Sequence, residues 1–299
     1  MKPFSKPPTS APSANDDDMP IRPESSAPLW RVLAASGYGL WAWLGLALAL
    51  GLYPMGRGST LIPLCIGAIM AGAGLLVACL PLRNAPDWYG WKPRLDARPT
   101  HAAMLALVTF LPMLVVGGLA RGDNEFWATR LAGAALTLCS LVSLAYTGFR
   151  FRSRLPPLLQ RAAAALPVNR LVYAGYSGGL WLWLCLLVQN EPLPSPDLYP
   201  WILLLLVLAL LLGLLEGLDW QALSDAGESL SGPVRDSALR PSRFVAALFT
   251  YVLPCIALLL AWHDGAALVA GALAVPSCLL GKWLERRLYE SLLLRDLVH

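Results

Sequence analysis

The sequence predicts an all-α integral membrane protein, with eight transmembrane helices in two parallel four-helix repeats. Three observations carry that expectation. The 299-residue chain is 57% hydrophobic and only 14% charged, with a mean hydropathy of +0.56, where a soluble domain carries about 25% charge. Its apolar residues stand in long charge-free blocks and lack the alternation of a half-buried surface. The stretch "YGLWAWLGL" at 38–46 also returns 140 residues later as "GGLWLWLCL" at 178–186, identical at six of nine positions.

Taken in order, residues 1–28 are rich in Pro and Ser, contain Asp16, Asp17 and Asp18, and have no apolar core of the kind a signal peptide needs. They read as a disordered tail. Eight charge-free blocks follow: Leu33–Tyr53, Leu61–Leu80, Ala103–Ala120, Leu131–Thr147, Leu171–Val188, Tyr199–Leu215, Phe244–Trp262 and Gly265–Gly281. Each reaches or approaches the roughly 17–25 residues that a helix needs to cross the hydrocarbon. Helices are the expected solution because backbone groups cannot stay unpaired in lipid. The last two blocks are separated only by His263 and Asp264, so seven crossings is the alternative count. Lys and Arg fix the orientation: 20 of the 23 fall on one side, and only Arg57, Arg121 and Arg130 on the other. That asymmetry puts both termini in the cytoplasm.

The first and fifth blocks match through the quoted stretches. The third and seventh match through "TFLP" (109–112) and "YVLP" (251–254), 142 residues apart. The expected organisation is a tail at 1–28, a first four-helix repeat at 29–147, a basic linker at 148–170, a second repeat at 171–284 and a cytoplasmic tail at 285–299. An even number of crossings per half makes the copies parallel. Chance similarity between two Leu- and Trp-rich helices is the competing explanation. Within each half the tryptophans Trp41/Trp43 and Trp181/Trp183 lie about 200° apart around a helix. One of each pair is therefore expected to pack inward while the other meets lipid or a neighbouring subunit.

Little in the blocks can carry chemistry. The six cysteines all lie in apolar blocks and form no CxxC pair, so neither a zinc nor an iron–sulfur ligand set is expected. The three histidines, His101, His263 and His299, lie outside the blocks, which leaves no pair for a membrane haem. No block has an ionisable group in its core. The acids near the membrane are Glu216 and Asp219, at the end of the sixth, and Asp264; Glu216 and Asp264 read best as interfacial helix ends. The densest polar and aromatic segment is "LPLRNAPDWYGWKPRLDARPTH" (80–101). It reads either as an interfacial segment or as the rim of a quinol or lipid pocket. In the second reading Trp88 and Trp91 supply flat walls, and Arg83, Arg98 and the neighbouring His101 face the headgroup oxygens. An Asp-Trp pair recurs at Asp219-Trp220, with different spacing from its helix.

Several of these stretches resemble the DmsC-type membrane anchor subunits of dimethyl sulfoxide reductase complexes. "AASGYGLWAWLGL" (34–46) is similar to that family's first span and "AGAGLLVACLPLRNAPDWYGW" (71–91) to its second span and following loop. "HAAMLALVTFLP" (101–112), "LPVNRLVYAGYSGGLWLWL" (166–184) and "GKWLERRLYES" (281–291) resemble the starts of its third and fifth spans and the exit from its eighth. The resemblance spans residues 30–291 and rests on scattered Gly, Pro, Leu and aromatic positions. It implies an eight-span subunit of the bacterial inner membrane that binds no cofactor itself. Such a subunit docks a ferredoxin-like iron–sulfur subunit and a molybdopterin catalytic subunit, and passes electrons from menaquinol or ubiquinol in anaerobic respiration. The chain departs from the family where a His-Leu-Gly-His-Pro-like stretch is usual, reading Pro81-Leu82-Arg83-Asn84-Ala85, and the position of the family's acid before the third span falls near Ala102, beside His101. Quinol oxidation needs a proton acceptor. Either His101 or Asp87 has taken that role, or the chain serves as an anchor without quinol chemistry. The readings from other classes are a transporter of a neutral or amphipathic solute or lipid without ion coupling, and a non-catalytic scaffold or assembly factor.

Overall fold

The computed structural model describes residues 27–53, 57–79, 101–120, 126–153, 165–189, 198–231, 236–263 and 267–298, which form helices with no strand among them. They are α1 (Ala27–Leu50), α2 (Arg57–Cys79), α3 (His101–Leu119), α4 (Trp127–Ser153), α5 (Leu166–Val188) and α6 (Leu198–Ser231). Helix α7 runs through Asp236–Ala247, a π-helical turn at Leu248–Val252, and Leu253–His263; α8 is Ala267–Val298. Six of the eight are long and apolar enough to cross a membrane, which makes this a multi-pass helical membrane protein. In α2 and α3 the apolar stretches are shorter, Ser59–Leu75 and Met104–Leu119. Pro63, Pro112 and Pro276 lie inside helices, which membrane helices tolerate because neighbours and side-chain hydroxyls satisfy the freed carbonyls.

Several helices extend beyond the apolar blocks: α6 runs on to Ser231 and α7 begins at Asp236. α4 continues to Ser153 and α5 begins at Leu166, so helix enters the 148–170 segment from both sides. α8 runs through Val298, across the segment expected as a C-terminal tail. The segments 1–26 and 154–164 lie outside the described residues.

The helices pack in two rounds. α1 lies against α2 and α4, and α3 against α2 and α4; α5 lies against α6 and α8, and α7 against α6 and α8. Between the rounds, α1 packs along α5, α4 touches α5, and α8 touches α1. The α1–α5 crossing is a direct backbone contact. A Cβ on Gly39 would overlap the Ala174 carbonyl, and one on Gly178 would overlap the backbone of Gly39 and Leu40. Small residues at such a crossing let membrane helices approach closely enough for dispersion contacts, which hold a bundle together where lipid removes the hydrophobic drive.

The bundle is apolar outside and partly polar within. Met104, Leu107, Val108, Leu111, Leu114 and Val115 form an exposed stripe on α3. Ser36, Thr109, Ser140, Ser143, Ser177 and Thr250 are buried. Thr109 Oγ1 and Ser143 Oγ share a hydrogen bond of 2.8 Å between α3 and α4. Each tryptophan pair has one fully buried member, Trp41 and Trp183. Trp41 Nε1 donates to the Leu64 carbonyl at 3.1 Å, and its ring meets Phe110 edge-on. Its half-buried neighbour Trp43 faces the second round: Nε1 donates to the Gly175 carbonyl at 2.7 Å, and the ring meets Trp201 edge-on.

Candidate functional site: a buried ionic cluster beside an arginine-lined pocket

The charged groups buried in the described helices gather where α5, α6, α7 and α8 meet, near the start of α5 and the end of α6. Glu216 and Asp219 lie three residues apart on α6 and share a face. Lys282 and Glu285 do the same on α8. Glu216 is 6% exposed and Lys282 7%, so neither could stay charged alone. They form an ion pair across the helices. Lys282 Nζ also donates to Glu285 Oε2 at 3.0 Å, and Tyr251 Oη donates to Glu216 Oε2.

The cluster extends outward from this pair. Asn169 Nδ2 donates to Asp219 Oδ2 at 2.9 Å, tying α5 to α6. Trp220 Nε1 lies 3.4 Å from Glu285 Oε1, and the Arg243 guanidinium carbon sits 4.1 Å above the Trp220 ring. Lys282 Nζ lies 5.4 Å from the centre of the Tyr173 ring, whose hydroxyl shares a 3.1 Å hydrogen bond with Ser36 of α1. Side chains from five helices thus meet at one end of the bundle.

The π turn in α7 belongs to this arrangement. Leu253 N–H donates back five residues to the Leu248 carbonyl, and the Phe249 carbonyl receives the Ser277 hydroxyl of α8 at 2.8 Å. A Cβ on Gly281 would overlap the Thr250 amide, so α8 passes directly over the turn. π turns widen a helix locally and change which residues face a neighbour. Tyr251 lies within this one.

A pocket opens beside the cluster between α1, α5 and α8, lined by Arg31, Asn169, Arg170, Tyr173, Lys282 and Arg286 among others. It is small and partly open to the surroundings. Asn169 is 7% exposed, and its Oδ1 has no hydrogen-bond partner among the described residues. Chemically the site offers an acceptor and a concentration of positive charge at its rim, with a neutralised carboxylate–ammonium pair behind. Among the described residues no three His, Cys, Asp or Glu side chains gather as a metal-ligand set.

The residues singled out from sequence fall elsewhere. Arg83, Asp87, Trp88, Trp91 and Arg98 lie outside the described residues. His101 is the first residue of α3, and its side chain is likewise outside the described part. Glu216 and Asp219, read from sequence as ending a helix at the interface, are buried against neighbouring helices, Glu216 facing α8 and Asp219 facing α5. Lys282, expected among the flanking basic residues, is buried as well. The i,i+3 spacings were visible in the sequence; the pairing between α6 and α8 was not.

No family model matches the chain, and neither the curated proteins nor the solved structures contain a match.

Proposed function

We propose that the chain is a membrane anchor subunit of a dimethyl sulfoxide reductase-like molybdoenzyme, built as eight crossings in two parallel four-helix repeats. The helix neighbours support the repeat: α1 relates to α2 and α4 as α5 does to α6 and α8, and the α4–α5 contact has its counterpart in α8–α1. The 20-to-3 distribution of Lys and Arg supports a cytoplasmic location for both termini in a bacterial inner membrane.

One observation carries the choice of a platform over a transporter. The seam between the halves, where a transporter of two repeats keeps its substrate path, is closed by the backbone contact of α1 with α5 at Gly39 and Gly178. A fixed bundle with its ionic groups at one end suits a subunit that holds an iron–sulfur partner and a molybdopterin partner at the membrane surface. Isolation in mild detergent, with the neighbouring genes co-expressed, tests this reading. The expected product is a complex containing iron and molybdenum; recovery of the chain alone contradicts it.

Where the complex oxidises menaquinol or ubiquinol, the proton acceptor in this reading is His101 or Asp87. His101→Ala or Asp87→Asn then slows quinol-dependent reduction while the complex still assembles. Unchanged turnover in both variants removes these two residues from the mechanism.

A further inference from the structure

We propose that the pocket between α1, α5 and α8 binds the phosphate of an anionic phospholipid whose headgroup carries a hydroxyl donor, phosphatidylglycerol being the simplest. The inference is independent of which partner the chain anchors. Three arginines from three helices, Arg31, Arg170 and Arg286, line the same small space. Arg170 has no carboxylate partner among the described residues and shares the pocket with Arg31 and Arg286. Like charges brought together in a poorly solvated place repel one another, and an anion held between them reverses the sign of that interaction. Guanidinium groups suit a phosphate because their planar donors match its oxygens two at a time.

A second observation points to the same ligand. Asn169 lines the pocket, is nine-tenths buried, and presents an Oδ1 with no hydrogen-bond partner among the described residues. Its Nδ2 is committed to Asp219, which fixes the amide with the acceptor free. A lipid phosphodiester has no P–OH of its own to give that oxygen, so the donor has to come from the headgroup, and a glycerol headgroup supplies one. The site therefore matches a phosphate with a hydroxyl a few bonds away.

Depth favours a lipid as the source. Arg31 and Arg170 lie within the first five residues of the spans Pro28–Leu50 and Leu166–Val188, and Arg286 within the last three of Ala267–Leu288. At 1.5 Å per residue this is within about 6 Å of the span ends, the level of lipid headgroups. Basic pockets between helices at that level bind anionic headgroups. The first turns of α1 and α5 add the positive ends of two helix dipoles.

The test uses the full-length protein, delipidated in a neutral detergent and returned to nanodiscs of defined composition. Binding is read by native mass spectrometry and thermal unfolding. Phosphatidylglycerol is expected to be retained and to raise the unfolding temperature, where phosphatidylcholine and millimolar inorganic phosphate do neither. Arg170→Gln and Arg286→Gln should each weaken retention by about tenfold or more, Arg170→Lys by less, and Arg130→Gln, on the opposite side, not at all. Wild-type protein that treats phosphatidylglycerol and phosphatidylcholine alike overturns the proposal, whatever the variants do. Protection by inorganic phosphate equal to that by lipid overturns the lipid assignment, and unchanged retention in both glutamine variants overturns the site.

Discussion

Glu216 and Lys282 are each buried because the other is present, and the energetic consequence is asymmetric. Burying both charges costs solvation that the pair and its extra donors roughly offset, whereas removing one partner strands the other in a place without water. Lys282→Met is accordingly expected to destabilise the protein by about 3–5 kcal/mol. The double variant Glu216→Gln/Lys282→Met should recover much of that loss, read as denaturant unfolding in detergent. A double variant whose loss equals the sum of the two single losses would mean that the pair is not coupled. The tryptophans allow a finer comparison. Trp41 has the Leu64 carbonyl as acceptor, while the indole N–H of fully buried Trp183 has none among the described residues. Trp41→Phe should therefore cost about 1 kcal/mol more than Trp183→Phe, since both remove a similar ring area.

At the scale of elements, the α1–α5 crossing and the π turn govern the arrangement. Gly39 has no room for a Cβ, so Gly39→Ala forces the helices apart and is expected to cost about 1–3 kcal/mol. Gly118 in α3 has nothing within 4 Å of an added Cβ, and Gly118→Ala should be neutral or stabilising by up to about 1 kcal/mol. A reversed order in thermal unfolding would disprove the crossing. The helices themselves were legible in the sequence because long uncharged blocks leave the backbone no other solution in lipid. Trp41 and Trp43 lie on different faces, as their spacing requires, but Trp43 meets Gly175 and Trp201 of the same chain and not lipid or a neighbouring subunit. Trp43 turned toward α5 and α6, a choice set by the glycine contact and invisible to periodicity. The Glu216–Lys282 pairing is hidden for a related reason: a charge at the edge of an apolar block shows its place along one helix, while its burial depends on which neighbouring helix lies against it. The π turn had no sequence signal; Phe249 and Tyr251 read as ordinary positions of an apolar helix.

At the scale of the molecule, the described parts of the two rounds join their helices through different chemistry. At the 142-residue offset of the "TFLP" and "YVLP" stretches, Tyr251 corresponds to Thr109 and Glu285 to Ser143. The first round joins its third and fourth helices through the neutral Thr109–Ser143 hydrogen bond. The second holds the corresponding level with Tyr251, Glu216, Lys282 and Glu285. Among the described residues the buried charge lies in the second round, next to the arginine-lined pocket. The account depends most on the closed seam between the halves. A cryo-EM map of the protein in lipid nanodiscs is the most direct test, and it should show Gly39 packed on the Ala174 backbone, with Gly178 beside it. Density for lipid or water separating α1 from α5 would contradict the account.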